Sequence, residues 1–183
     1  RGVMSVVGIT FVIATSGLGL YVYTTSILAG SVTSPTQALS LWNTGGLIGS
    51  MAVGYLLDRM RNQQTLMLMI LSTLVGVFLL IPVLRSIPFF GLLPFAFWGA
   101  LGWSTVTPQQ FRLNQLKPGH EAVLVALNSS AASLGCVIGT AMGGLALEKG
   151  LNAKDLPYAA AGLLFCALIW QILLIYRQRK SAH

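Results

Sequence analysis

The sequence predicts an all-α membrane protein with six transmembrane helices. Only 8% of the 183 residues are charged, whereas a soluble domain of ordinary composition has roughly 25%. Hydrophobic residues make up 55% of the chain, and they form long segments separated by short polar gaps. The stretch "LMLMILSTLVGVFLLIPVL" (residues 66–84) lacks the strict alternation over about 10 residues that is typical of a membrane β-strand. The segments are therefore predicted to be helices.

Each predicted span approaches or exceeds the roughly 20 apolar residues that a helix needs to cross a bilayer. In chain order, the spans cover residues 3–27, 36–57, 65–84, 89–107, 122–147 and 156–176. Cys136 and Cys166 fall inside two of these spans, without the spacing of a metal site. We interpret both as small apolar packing residues.

The positions of lysine and arginine predict the orientation of the spans. If the spans alternate in direction, one side of the membrane has eight basic residues and the other has three. The larger set is Arg1, Arg59, Arg61, Arg112, Lys117, Arg177, Arg179 and Lys180, and the smaller set is Arg85, Lys149 and Lys154. Because basic loops remain in the cytoplasm, both ends of this chain and the loops at 58–62 and 109–121 are predicted to be cytoplasmic. The scattered basic residues do not favour nucleic acid as a partner.

The second and fifth predicted spans resemble each other. Residues 40–62 align with residues 130–152 without a gap. The aligned positions include Gly45, Gly49, Gly54, Asp58 and Arg59 against Gly135, Gly139, Gly144, Glu148 and Lys149. Because these two spans run in opposite directions under the predicted topology, the match indicates a 3+3 inverted repeat, as in many secondary transporters. The alternative is chance similarity between two glycine-rich helices.

Glycines also recur at four-residue spacing within both copies of the repeat. Small residues at this spacing share one helix face and allow two backbones to approach closely in lipid. We therefore predict helix-packing contacts at Gly45, Gly49, Gly135, Gly139 and Gly143.

The turn after the second span, "GYLLDRMRN" (residues 54–62), resembles a known family signature. It is similar to the G-x-L-a-D-R-x-G-R motif of the major facilitator superfamily, which lies in the cytoplasmic turn after the second span of each six-span half. The matching residues are Gly54, Leu56, Asp58 and Arg59. Arg61 replaces the second glycine of the motif. The resemblance implies that this chain is the C-terminal half of a twelve-helix major facilitator fold, with the N-terminal six-helix half of the same polypeptide as its partner.

A second stretch, residues 108–144, is similar to the region of the tenth and eleventh spans in bacterial drug and sugar efflux members, the arabinose-efflux-permease-like group. The matching residues are Ala126, Leu127, Asn128, Ser130, Leu134, Gly135, Gly143 and Gly144. Ser133 stands where that group has a second asparagine. This resemblance implies an efflux protein, for example an antiporter, in the cell inner membrane.

In that family the aspartate and arginine of the signature act as a latch: their contacts at the cytoplasmic side stabilise the outward-open state. The resemblance therefore implies a cytoplasmic gate at Gly54, Asp58, Arg59 and Arg61, with Arg112 in the next cytoplasmic loop as a candidate partner of Asp58. Near a membrane–water boundary such an ion pair can exceed the ordinary surface value of about 1 kcal/mol. The alternative is a solvated turn that only sets topology.

The interior of the predicted spans contains no Asp, Glu, Lys, Arg or His. Because intramembrane ionisable residues usually transfer protons, any proton-coupling group is expected in the N-terminal half. A substrate cavity would then depend on aromatic and uncharged polar side chains. The candidates are Tyr23, Asn43, Trp98, Asn128 and Ser133. Each has a role in helix packing or at the membrane interface as its alternative.

Together these features favour a secondary active transporter that exports a small uncharged or amphipathic solute by alternating access. The main alternative is a complete six-span protein that acts as a dimeric transporter or a scaffold, although the first residue, Arg1, leads us to expect a fragment. A membrane-embedded enzyme is disfavoured because His120 and His183 lie in polar ends and no H-E-x-x-H or G-x-S-x-G motif occurs. The expected partners are the lipid bilayer and a small-molecule substrate, with no cofactor and no metal.

Overall fold

The computed structural model describes residues 2–60 and 62–180, with side chains as far as residue 177. Within these ranges the chain forms helices, short 3-10 turns and loops, and no strand, which confirms the all-α prediction for the described residues. The helices are α1 (Gly2–Tyr21), α2 (Thr24–Ile27), α3 (Pro35–Arg59), α4 (Gln63–Leu84), α5 (Leu93–Ser104), α6 (Val106–Leu116), α7 (Glu121–Glu148) and α8 (Leu156–Lys180). The 3-10 turns Phe90–Leu92 and Ala153–Asp155 precede α5 and α8.

Four segments among the described residues are long and apolar enough to cross a membrane. They are Gly2–Tyr21, Gln63–Leu84, Glu121–Glu148 and Ala153–Arg177. The predicted second span corresponds to α3, which has 25 residues but includes several polar ones, among them Gln37, Asn43 and Thr44. The predicted fourth span corresponds to α5, which has only 12 residues, and to the start of α6.

Two predicted spans are interrupted, and one predicted loop is helical. The first span breaks at Val22 and Tyr23, between α1 and α2. The fourth breaks at Thr105, because Pro108 has no N–H to donate to the carbonyl of Ser104 and its ring disfavours a continuous helix there. The expected loop at 109–121 is instead helical as far as Leu116.

Two closely packed helix pairs form the centre of the fold. α1 packs against α7, and α3 packs against α5. α4 and α8 contact each other, and they also cover α5 and α1, respectively. The largest buried side chains lie where these layers meet, and they include Phe78, Phe95 and Trp98.

Glycines bring the backbones of each pair into direct contact, and we call the two contact lines the glycine seams. In the α1–α7 seam, a Cβ atom at Gly135 would lie 2.5 Å from the carbonyl oxygen of Phe11, and one at Gly139 would overlap the carbonyl oxygen of Thr15. No side chain larger than hydrogen fits at such separations without a shift of the backbone.

The α3–α5 seam has the same character. Cβ atoms at Gly45 and Gly49 would overlap the carbonyl oxygens of Ala96 and Ala100. Gly143, the fifth glycine expected to pack between helices, instead lies against the ring of Tyr23. Backbone contact is therefore made by four of the five glycines, two in each seam.

We expect Gly49→Ala to destabilise the full-length protein by about 1–3 kcal/mol, because the added methyl group overpacks the α3–α5 seam. Gly76→Ala in α4 is the matched control, since nothing lies within 4 Å of the position of its Cβ atom, and alanine favours the helix by about 1 kcal/mol. The apparent melting temperature of the purified protein measures both effects. Equal melting temperatures for the two variants would contradict the steric account of the seam.

Candidate functional site

A cavity of about 310 Å³ lies between the two helix pairs. This volume is at the lower end of the range for small-molecule pockets, roughly 300–1,000 Å³. All its described lining residues are uncharged: Thr10, Ile13, Ala14, Gly17, Leu18, Trp42, Leu74, Trp98, Gly102, Trp103, Thr105, Val106, Gln109, Gln110, Asn128, Ser129 and Ala132. They come from α1, α3, α4, α5, α6 and α7 and from the break at Thr105, so the tertiary fold is needed to assemble the site.

Three tryptophans form an aromatic wall of this cavity. The ring centroid of Trp42 lies 6.1 Å from those of both Trp98 and Trp103, in edge-to-face arrangements that favour aromatic attraction. Phe78 packs edge-to-face against Trp98, and their ring centroids are 5.1 Å apart. Trp103 is 46% exposed and lies over Gly46, where a Cβ atom would come within 2.5 Å of its Cδ1 atom. The wall is therefore buried at Trp98 and exposed at Trp103.

A polar cluster among the lining residues joins three helices. Thr10 Oγ1 on α1 donates a hydrogen bond to Asn128 Oδ1 on α7, at 2.7 Å, and it also contacts Oε1 of Gln109 on α6. A hydroxyl group has one proton, so both contacts are satisfied when the Gln109 amide is turned to place its nitrogen, rather than Oε1, against Thr10 Oγ1. Gln109 and Asn128 are 5% and 4% exposed, and their mutual satisfaction through Thr10 offsets the cost of burying them.

Several polar groups remain available to a ligand in the cavity. The side chains of Gln110 and Ser129 make no hydrogen bond within the described part of the chain, and both line the cavity. The Asn128 amide nitrogen also has no partner among the described residues. Together they offer hydrogen-bond donors and acceptors without a charge.

Two of the five predicted cavity residues, Trp98 and Asn128, line this cavity. The other three lie elsewhere. Tyr23, in the break between α1 and α2, donates a hydrogen bond from its hydroxyl to the Thr140 carbonyl of α7, at 2.5 Å. Asn43 is exposed on α3 and donates to the carbonyl of Leu39, at 2.8 Å, and Ser133 is exposed on α7.

Sequence reasoning missed Thr10 and Gln109, although both are central to the polar cluster. A single threonine in an apolar helix usually bonds its own backbone, so Thr10 gives no distinctive signal. The sequence predicts a loop at 109–121, which includes Gln109. Its position directly after Pro108 was the available signal, because proline is favoured in the first turn of a helix.

The signature turn is only partly described, since Arg61 lies outside the described residues. Arg59 Nη1 donates a hydrogen bond to the hydroxyl oxygen of Tyr55, at 2.7 Å, one helical turn earlier. Asp58 is exposed and has no hydrogen bond or ion pair with any described residue. At Gly54, nothing lies within 4 Å of the position of a Cβ atom, so packing within this chain does not require glycine there.

Arg112 lies on α6, and Asp58 does not pair with it. It lines a second, smaller cavity of about 30 Å³ with Gln63, Gln109 and Gln171, a volume that suits one water molecule. The pairing of Asp58 with Arg112 that the resemblance implied is therefore not formed within this conformation.

The described residues include no group of three or more His, Cys, Asp or Glu side chains that would suit a metal ion. Cys136 and Cys166 are both free thiols in the structure. The described residues that line the large cavity supply indole rings, side-chain amides and hydroxyls, which can bind an uncharged molecule.

The chain is similar to two curated transport proteins. It is 30% identical over 155 residues to the inner membrane transport protein YdhP of Escherichia coli O157:H7 and 29% identical over the same length to the protein of that name in strain K12. The aligned region covers 82% of this chain but only 39% of each relative, so the chain spans about two fifths of their length. No family model matches the chain. This similarity and the apolar helices identify a membrane protein related to an inner membrane transport protein.

We expect Thr10→Val to lower the stability of the full-length protein by about 1 kcal/mol, because it leaves the buried amides of Gln109 and Asn128 without their shared partner. Thr73→Val in α4 is the matched control, since the exposed Thr73 hydroxyl bonds only the carbonyl of Met69. Unfolding of the purified protein in increasing denaturant measures the difference. If Thr10→Val is no more destabilising than Thr73→Val, the polar cluster does not stabilise the fold.

Proposed function

We propose that this chain is the C-terminal six-span half of a secondary active transporter of the major facilitator type, which exports a small uncharged or amphipathic solute by alternating access. The uncharged cavity of about 310 Å³ between the helix pairs is the observation that supports this proposal most directly. The relationship to an inner membrane transport protein supports the transport class. The resemblance of the turn at 54–62 and of the stretch at 108–144 to known motifs favours the major facilitator superfamily.

The geometry of the two glycine seams supports the 3+3 inverted repeat. Gly45 and Gly49 meet the carbonyls of Ala96 and Ala100 in the same order as Gly135 and Gly139 meet those of Phe11 and Thr15. The glycines are offset by 90 positions and their partners by 85. Two three-helix units related by a pseudo-two-fold axis would produce this correspondence, whereas chance similarity between two helices would not reproduce the contacts of their partners.

Exposed polar side chains on α3 and α7 support a partner in the membrane other than lipid. Ser40, Asn43 and Thr44 are exposed on α3, as are Ser130 and Ser133 on α7. Polar side chains in membrane helices usually lie against other helices, where they find hydrogen-bond partners. We propose that these faces adjoin the N-terminal six-helix half. The relatives, which are more than twice as long as the aligned region, have room for such a half.

The α6 helix supplies a means of closing the cavity on the predicted cytoplasmic side. Gln109 ties α6 to α1 through Thr10, and Leu113 is fully buried with Val6, Val7 and Leu124. The break at Thr105 separates this helix from α5. In the proposed cycle α6 moves away from α1 about this break to open the cavity to the cytoplasm.

Coupling to protons is assigned to the other half in this proposal. None of the described residues that line the large cavity is ionisable within the physiological range of pH. Because Asp58 is exposed, we propose that the latch forms between Asp58 and the N-terminal half rather than Arg112.

A cysteine at Ser129 tests alternating access without knowledge of the substrate. In full-length protein whose other cysteines are replaced, Ser129→Cys should react with a membrane-impermeant maleimide added from either side of the membrane. The reason is that the cavity opens to each side in turn. Ser72→Cys, on an exposed face of α4 that we expect to contact lipid, is the control and should react from neither side. Reaction of Ser129→Cys from one side only would contradict the proposal.

The same labelling assay tests the latch. In the Ser129→Cys protein, we expect Asp58→Asn to reduce the labelling rate from the outside by about tenfold, because loss of about 1.4 kcal/mol from the outward-open state shifts the population by that factor. Membrane abundance should be unchanged. Asp155→Asn, in the turn before α8, is the matched control. If the ratio of labelling rates from the two sides is unchanged, Asp58 does not stabilise the outward-open state and acts only in setting the topology.

A further inference from the structure

The lining of the large cavity combines two kinds of side chain. Trp42, Trp98 and Trp103 contribute indole rings, of which Trp103 is 46% exposed. Gln110 and Asn128 contribute amides, which are hydrogen-bond donors and acceptors. A ligand that uses both kinds of side chain must combine an aromatic face with a hydrogen-bonding edge.

The absence of charge among the described lining residues selects against ionised ligands. A phosphate, carboxylate or ammonium group would lose its hydration on entry and would find no opposite charge in this part of the chain. The cost of burying an unpaired charge is much larger than that of burying a hydrogen-bonded neutral group. The preferred ligand is therefore neutral.

The aliphatic lining of the cavity also selects against simple sugars. Ile13, Leu18, Leu74 and Val106 contribute side chains that have no hydrogen-bonding group. A polyol has hydroxyl groups around its whole ring, and those that face these residues would be left without partners. A planar heterocycle has polar atoms only at its edges, so its faces suit the apolar and indole surfaces.

Side-chain amides have the donor–acceptor pattern that matches the edge of a nucleobase. Asparagine and glutamine pair with adenine through two hydrogen bonds, one donated and one accepted. Gln110 has its whole amide available within the described residues, and Asn128 retains its amide nitrogen. The hydroxyl of Ser129, which follows Asn128 on α7 and also lines the cavity, adds a group that can donate or accept.

We infer that the cavity binds a neutral nucleobase or nucleoside, with the ring against Trp103 and its polar edge toward Gln110 and Asn128. This inference rests on the proposed transport function, because it names the substrate class of the same site. Trp103 is the stacking residue best placed to contact a ligand, since it is the most exposed of the three tryptophans at 46%. Gln110 is a specificity-determining residue for the polar edge.

Equilibrium binding of radiolabelled adenosine to the full-length protein in lipid nanodiscs tests the inference. We expect saturable binding that unlabelled adenine displaces, whereas arabinose and adenosine monophosphate compete at least about tenfold less well. Trp103→Leu should weaken adenosine binding by about tenfold, because stacking on one base is worth about 1–3 kcal/mol. Trp103→Phe should restore most of the affinity, since phenylalanine keeps an aromatic face.

Two further variants separate the polar edge from general effects on folding. Gln110→Leu should weaken adenosine by about three- to tenfold through loss of one or two hydrogen bonds. Trp170→Leu should leave affinity unchanged, because Trp170 lies on α8 against Gly8 and is not among the described residues that line the cavity.

No saturable binding of adenosine, or equal competition by arabinose or by adenosine monophosphate, would overturn the inference. If Trp103→Leu and Trp103→Phe bind adenosine equally, the assignment of the ring to Trp103 is wrong. The labelling of Ser129→Cys distinguishes this failure from failure of the proposed function. Labelling from both sides without adenosine binding leaves a transporter of another substrate class, whereas adenosine binding with one-sided labelling leaves a binding site without alternating access.

Discussion

Direct contact between helix backbones at glycine is the constraint on which the rest of this structure depends. In both glycine seams a carbonyl oxygen of one helix occupies the space that a side chain would need on the other. Close approach of this kind increases van der Waals contact between helices, which matters in lipid because the hydrophobic effect does not drive association there. The seams therefore fix the spacing of α1 with α7 and of α3 with α5, and the large cavity lies between these two pairs.

The arrangement of polar groups follows from that spacing. The α1–α7 seam brings Thr10 within hydrogen-bonding distance of Asn128, and the packing of α6 against these two helices adds Gln109 to the cluster. Trp103 can lie over α3 because Gly46 has no side chain. Glycines of α3 thus have both roles: Gly45 and Gly49 pack the helix pair, and the adjacent Gly46 leaves room for the aromatic wall. Changes that shift α3 at its seam should therefore alter the site as well as the fold.

The candidate site was only partly predictable from sequence. Trp98 and Asn128 are predicted to line a cavity and do so. The polarity of Asn43 within a predicted span favours the same place, but Asn43 lies exposed on α3. Polarity identifies residues that require an explanation in a membrane helix, but it does not give the direction in which they face. The first half of the expected loop at 109–121 is instead part of α6, and this helix positions Gln109 in the site.

The sequence by itself determined the all-α class, the approximate position of each apolar segment and the repeated glycines, because apolar length and residue spacing are local properties of a helix. Only the tertiary structure decided which polar side chains meet. Thr10 is separated by 99 positions from Gln109 and by 118 from Asn128, and no local pattern records such a contact. The physical reason is that hydrogen-bond satisfaction depends on how helices are rotated and paired, which the close packing of backbones sets for the whole bundle.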